Sequence, residues 1–215
     1  MALESKICGV SDRAALAAAA RGGARWVGFV FFPPSPRAVT VEQAASLAGE
    51  APPGLGRVGL FVDPDDALLE RVLAAVPLEL LQLHGDEPPK RVAEIRGRFG
   101  RPVMKAIKVA RREDLEVVEA YAPVADRLLF DAKAPKSMAG ALPGGNALSF
   151  DWTLLAGRRW PKPWMLSGGL KAENLEEAVT ISGAPAVDVS SGVESAPGVK
   201  DPARIAAFLE LARSL

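Results

Sequence analysis

Hydrophobic and polar positions alternate along the chain in two rhythms. Short, dense apolar runs predict strands over residues 5–8, 26–31, 57–62, 80–83, 103–107, 127–131, 164–166 and 186–189. Between them, apolar residues recur at helical spacing over 12–21, 41–48, 65–75, 88–99, 113–121, 151–155, 174–182 and 201–215. Local chemistry agrees with this division. Asp65 is placed to cap a helix, Pro88 and Pro89 suit a first helical turn, and Gly22, Gly23 and Gly97 suit helix ends. Eight strand–helix units in 215 residues leave about 27 residues each, enough for a short strand, a helix near ten residues and two loops. No low-complexity linker interrupts them. The expected fold is therefore α/β, a single (β/α)8 barrel over 1–215. The competing doubly wound open sheet needs fewer units, and no Gly-x-Gly-x-x-Gly follows the first predicted strand.

Composition narrows the function. Lys and Arg number 26 and Asp and Glu 26, so no basic excess favours nucleic acid as a partner. The hydrophobic fraction of 49% supports a substantial buried core. A single cysteine excludes an internal disulfide and a four-ligand zinc site, and with a single histidine no metal is expected. The apolar stretch 26–32 stops at Pro33 and Pro34, far short of the roughly 20 residues of a membrane span. Residues 1–8 lack the pattern of a secretion signal, so the expected location is the cytoplasm. The expected state is a monomer or homodimer, between which no feature of the sequence decides.

In such a barrel the chemistry lies at the C-terminal ends of the strands. The first predicted strand ends Lys6-Ile7-Cys8, and strand alternation puts Lys6 and Cys8 on one face. Cys8 is either a small buried hydrophobe or a thiolate, acting as base or nucleophile, whose pKa Lys6 lowers. The sixth run ends in Asp131, a turn residue or an acid facing Cys8 across the mouth. Three prolines, Pro33, Pro34 and Pro36, stiffen the loop that carries Arg37, whose planar fork suits a carboxylate or phosphate unless it is a solvated loop charge. The loops holding Gly168 and Gly169, and Ser190, Ser191 and Gly192, follow the last two strands, where barrels hold phosphate on backbone N–H groups. His84 closes the fourth strand, as a structural hydrogen-bonding group or a ligand contact. Asp188 interrupts the eighth run, and because that strand adjoins the first when the barrel closes, Lys6 is its expected partner in a buried ion pair.

These residues, in order, resemble the phosphoribosylanthranilate isomerase family of tryptophan biosynthesis over essentially the whole chain. The matches are Lys6-Ile7-Cys8-Gly9, Gly28-Phe29-Val30-Phe31 with Ser35-Pro36-Arg37, and Leu83-His84-Gly85-Asp86-Glu87. They continue with Leu129-Phe130-Asp131-Ala132-Lys133, Phe150-Asp151-Trp152, Ser167-Gly168-Gly169-Leu170 and Asp188-Val189-Ser190-Ser191-Gly192-Val193-Glu194. The resemblance implies an Amadori rearrangement of a small phosphosugar without metal or organic cofactor. Asp131 would be its acid, Cys8 its base and Arg37 its clamp on the anthranilate carboxylate. His84 and Asp188 would contact substrate, and Gly144, Gly145, Gly168, Gly169, Ser190, Ser191 and Gly192 would hold the phosphate. The chain departs from the family's pattern at Ala147, where a glycine is usual, and a left-handed backbone there would be strained by the methyl group. Residues 132–149 form the longest connection and are the expected cover of the site.

Two rivals remain at this stage. A histidine-pathway isomerase on the same barrel would carry aspartates at the ends of the first and fifth strands, where this chain has Cys8 and Lys108. A phosphate-binding barrel without catalysis would have no need of both Cys8 and Asp131.

Overall fold

All eight predicted strands form in a computed structural model that describes residues 3–135, 137 and 142–215. They are β1 (Glu4–Cys8), β2 (Trp26–Val30), β3 (Gly56–Phe61), β4 (Leu80–Leu83), β5 (Val103–Val109), β6 (Arg127–Ala132), β7 (Trp164–Leu166) and β8 (Ala186–Val189). Each pairs in parallel with the next, and β8 pairs back onto β1, closing the barrel. Strand alternation separates two cores. Ile7, Val27, Phe29, Leu81, Leu83, Phe130 and Val187 pack outward in the layer shared with the helices. Trp26, Val58, Leu80, Met104, Leu129, Met165 and Ala186 form a second cluster inside the ring, in the layered filling usual for this fold. The closing register sets Lys6 opposite Asp188.

The helices are α1 (Arg13–Gly22), α2 (Val41–Glu50), α3 (Asp66–Ala75), α4 (Pro89–Phe99), α5 (Val118–Tyr121), α6 (Ala172–Ser182) and α7 (Pro202–Ser214). Asp65 caps α3 by accepting from the Leu68 N–H. Gly97 proves to lie inside α4, which ends instead at Gly100 in a left-handed conformation. Two expected helices differ more. Residues 113–121 divide into a 3₁₀ turn, Arg112–Leu115, and the single turn of α5, because Asp114 Oδ2 turns back to the Ala110 and Arg111 N–H groups. Residues 151–155 give only a 3₁₀ turn, Trp152–Leu154. Asp151 caps it through Thr153, and Gly157 at φ +67° with Pro161 just beyond prevents it from lengthening. Trp160 and Trp164 pack over Phe130 there, with ring centroids at 4.5 and 5.5 Å.

A feature absent from the predicted pattern follows β8: a small hairpin of β9 (Glu194–Ala196) and β10 (Val199–Lys200). It brings two charged residues to the barrel mouth. Among the described residues no helix is long and apolar enough to cross a membrane.

Candidate active site

Cys8, Arg37, His84, Asp131 and Asp188 all line one cavity at the C-terminal mouth, although they come from five different strands or the loops after them. Gly144, Gly145, Gly168, Gly169, Ser190 and Ser191 line it too. Gly192 does not. It lies against the Leu170 carbonyl, where an added Cβ would come within 1.9 Å of the oxygen, so it lets the loops after β7 and β8 meet.

Cys8 and Lys6 project inward from β1. Lys6 is fully buried and its Nζ lies 2.8 Å from Asp188 Oδ1, so the expected ion pair forms. Ser167 Oγ donates to the other Asp188 oxygen at 3.3 Å. Burial opposes the charge on Lys6, but Asp188 and Cys8 outweigh it and hold the ammonium above its ordinary pKa. Lys6 does draw the thiol down, as expected, but it is outweighed. Burial, the largest cause, together with the Asp188 charge pushes Cys8 upward by more than Lys6 and Lys200 draw it down, so the net shift is upward.

Asp131 ends the inward face of β6. Its Oδ2 faces His84 Nε2 at 3.0 Å, and its Oδ1 accepts the Ala132 N–H at 2.9 Å. His84 Nδ1 in turn meets Gln82 Nε2 at 2.8 Å. The chain beyond His84 is held by a buried pair that the sequence reading missed. Lys105 Nζ bonds Glu87 Oε2 at 2.7 Å and the Gly85 carbonyl at 2.8 Å, while Glu87 Oε1 accepts from the Gly85 and Asp63 N–H groups.

Arg37 is only 6% exposed, which rules out a solvated loop charge. Its stem crosses Gly9, whose φ of +76° and missing side chain admit it: a Cβ there would stand 2.8 Å from Arg37 Cδ. The guanidinium forms a two-pronged pair with Glu194, Nε to Oε1 at 2.7 Å and Nη2 to Oε2 at 2.9 Å. Lys200 Nζ, also buried, bonds Glu194 Oε1 at 2.7 Å and the Ser190 carbonyl at 2.9 Å. Neither Glu194 nor Lys200 was given a role from sequence. Only the hairpin folds them back over β8 to meet a residue more than 150 positions away.

Burial pushes the Glu194 carboxyl up, but its bond to Arg37 and the Lys200 charge prevail, so it titrates below its ordinary value. Glu194 thus holds a proton less readily folded than unfolded. The stability this contributes is complete above the unfolded value of about 4.3 and is lost as pH falls through the lower folded value. In Glu194→Gln, the fall of melting temperature with acid should be shallower below about pH 4 than in wild type. Equal slopes in a pH series of calorimetric melts would remove this assignment.

Gly144 and Gly145 approach the Asp131 and Arg37 side of the cavity. A Cβ on Gly144 would stand 2.6 Å from His84 Nε2 and 2.8 Å from Asp131 Oδ2, and the Gly145 carbonyl accepts from Arg37 Nη2 at 3.2 Å. Ala147 does adopt the left-handed backbone, with φ +56°. Ala147→Gly removes a clash of about 1–2 kcal/mol against an unfolded-chain entropy of about 0.5–1 kcal/mol. A net gain of roughly 0.5–1 kcal/mol should appear as a raised melting temperature, and a lowered one would contradict the strain. Part of the expected cover over 132–149, residues 136 and 138–141, lies outside the described residues.

A closed parallel barrel with a buried thiol, a buried carboxyl and a buried arginine around one cavity defines a (β/α)8-barrel enzyme of the kind that works from its strand ends. The family described as "PRAI: N-(5'phosphoribosyl)anthranilate (PRA) isomerase" matches residues 5–211. The N-(5'-phosphoribosyl)anthranilate isomerase of Rhodospirillum centenum is 62% identical over 215 residues, covering 100% of both chains. Phosphoribosyl anthranilate isomerase from Thermotoga maritima superposes with a TM-score of 0.87 at 36% identity, covering 99% of this chain and 100% of that one. A structure of phosphoribosyl anthranilate isomerase in complex with reduced 1-(o-carboxyphenylamino)-1-deoxyribulose 5-phosphate superposes with a TM-score of 0.85 at 34% identity, over 99% and 100% of the two chains. The chain belongs to the N-(5'-phosphoribosyl)anthranilate isomerase family.

Proposed function

We propose that the chain performs the isomerisation for which its family is named, converting N-(5-phosphoribosyl)anthranilate to 1-(2-carboxyphenylamino)-1-deoxyribulose 5-phosphate by general acid–base catalysis. The observation that carries the mechanism is the placement of Cys8 and Asp131. They stand on β1 and β6, three strands apart around the ring, and both face the same cavity. Asp131 protonates the ribose ring oxygen, and the C1–O bond breaks to leave an iminium at C1. That cation acidifies the C2 hydrogen, which the Cys8 thiolate removes, giving an enolamine. The ketone forms as O2 gives up its proton and C1 takes one, so acid and base return to their starting states.

The rest of the cavity suits the two ends of this substrate. Arg37, aimed by Glu194, takes the anthranilate carboxylate through its remaining N–H groups. The loops at Gly168, Gly169, Ser190 and Ser191 take the phosphate, with Gly192 packing them together. His84 and Asp188 contribute through Asp131 and through the Lys6 beside Cys8. Holding both ends places the sugar between acid and base.

The test is to generate phosphoribosylanthranilate in place and follow the loss of its fluorescence with purified protein. Rapid loss supports the reading. Fluorescence that decays no faster than without protein would exclude it and leave a phosphate-ligand barrel as the alternative.

A further inference from the structure

Gln82 lies on β4 two residues before His84, so both side chains enter the barrel on the same face. It is completely buried, and its Nε2 is 2.8 Å from His84 Nδ1. An amide nitrogen offers only hydrogens, so Nδ1 accepts; a ring with one accepting nitrogen carries its proton on the other, and Nε2 donates to Asp131 Oδ2 at 3.0 Å. The arrangement has a cost. Among the described residues Gln82 Oε1 is buried without a hydrogen-bond partner, a cost set against the amide's bond to the ring.

Asp131, in the reaction proposed above, must keep a proton for an ether oxygen. An imidazole lone pair is far more basic than that oxygen and, at 3.0 Å, would capture the proton first. We propose that Gln82 is a positioning residue that locks His84 as the Nε2–H tautomer, closing both ring nitrogens to the proton of Asp131: Nε2 already carries a hydrogen and the lone pair on Nδ1 is taken by the Gln82 amide. The imidazole then acts only as a donor and stabilises the carboxylate left after transfer to the sugar. Gly144 lies beside this pair, where an added Cβ would stand 2.6 Å from His84 Nε2 and 2.8 Å from Asp131 Oδ2, so the missing side chain leaves the contact undisturbed. This inference rests on the acid role of Asp131.

The decisive measurement uses the fact that His84 is the only histidine, so protein labelled with 15N-histidine gives one pair of ring-nitrogen signals. The expected spectrum has a protonated Nε2 and an accepting Nδ1. Gln82→Glu, of the same shape but presenting only acceptors, should move the proton to Nδ1. It should also lower kcat about ten- to a hundredfold, with KM changed by less than about twofold. A wild-type ring protonated at Nδ1 overturns the inference whether or not the variant folds. So does a variant with the proton moved and kcat unchanged. Asp131→Asn turning over at the wild-type rate would remove the acid role and the inference with it, while leaving the tautomer itself as measured.

Discussion

Cys8→Ala and Asp131→Asn should each lower kcat by about 10²–10⁴ while the barrel melts close to its wild-type temperature. The size of the effect follows from isolation. Cys8 is 4% exposed and Asp131 3%, so water cannot readily replace either group as proton acceptor or donor. The melting temperature is spared for different reasons. Cys8→Ala removes one sulfur from a small apolar cluster with Val30 and Leu60, and Asp131→Asn keeps the side chain's shape and one oxygen, which can still face either His84 Nε2 or the Ala132 N–H. The double variant should be little worse than the single ones, because acid and base serve one reaction sequence and their losses do not add. Single-turnover fluorescence alongside calorimetric melts checks both halves. Either variant within tenfold of wild-type kcat would remove its residue from the proposed pair.

Asp188→Leu should cost about 3–5 kcal/mol of stability, since it leaves the Lys6 ammonium buried without its counter-charge. For a domain of this size that is a fall of roughly 6–20 °C in melting temperature. Lys6 is buried completely, and its pair with Asp188 ties β1 to β8 where the barrel closes. The double variant Lys6→Met with Asp188→Leu should recover most of the loss, because a packed apolar pair replaces two charges that were expensive to dehydrate. It should nevertheless be a poor enzyme. Removing the two charges also removes Lys6, whose nitrogen lies beside Cys8 and favours its thiolate. A double variant no more stable than Asp188→Leu would show that the pair's value is not the simple avoidance of an unpaired charge.

The eight strands were legible because each is a short apolar run bounded by turn residues, and burial on both faces keeps such runs distinct from helical spacing. The Lys6–Asp188 pair was legible as well, since two charges in otherwise apolar strands must meet if the last strand adjoins the first. The missing sixth helix was not. Residues 151–155 have helical composition, and only Asp151's turn toward Thr153 together with the Gly157 break ends them after one 3₁₀ turn.

The sequence by itself determined the barrel, the strand that carries each candidate acid, base and clamp, and the family resemblance, because these depend on local periodicity and on short motifs kept in order. The tertiary structure alone decided how those groups are held. Glu194 reaches Arg37 through a hairpin with no periodic signature, Gln82 meets the ring of His84 only because both face inward, and burial rather than Lys6 sets the direction of the Cys8 shift. Each of these depends on distance and on exclusion of water between residues remote in the chain or shared by one strand face, quantities that appear only once the barrel has closed.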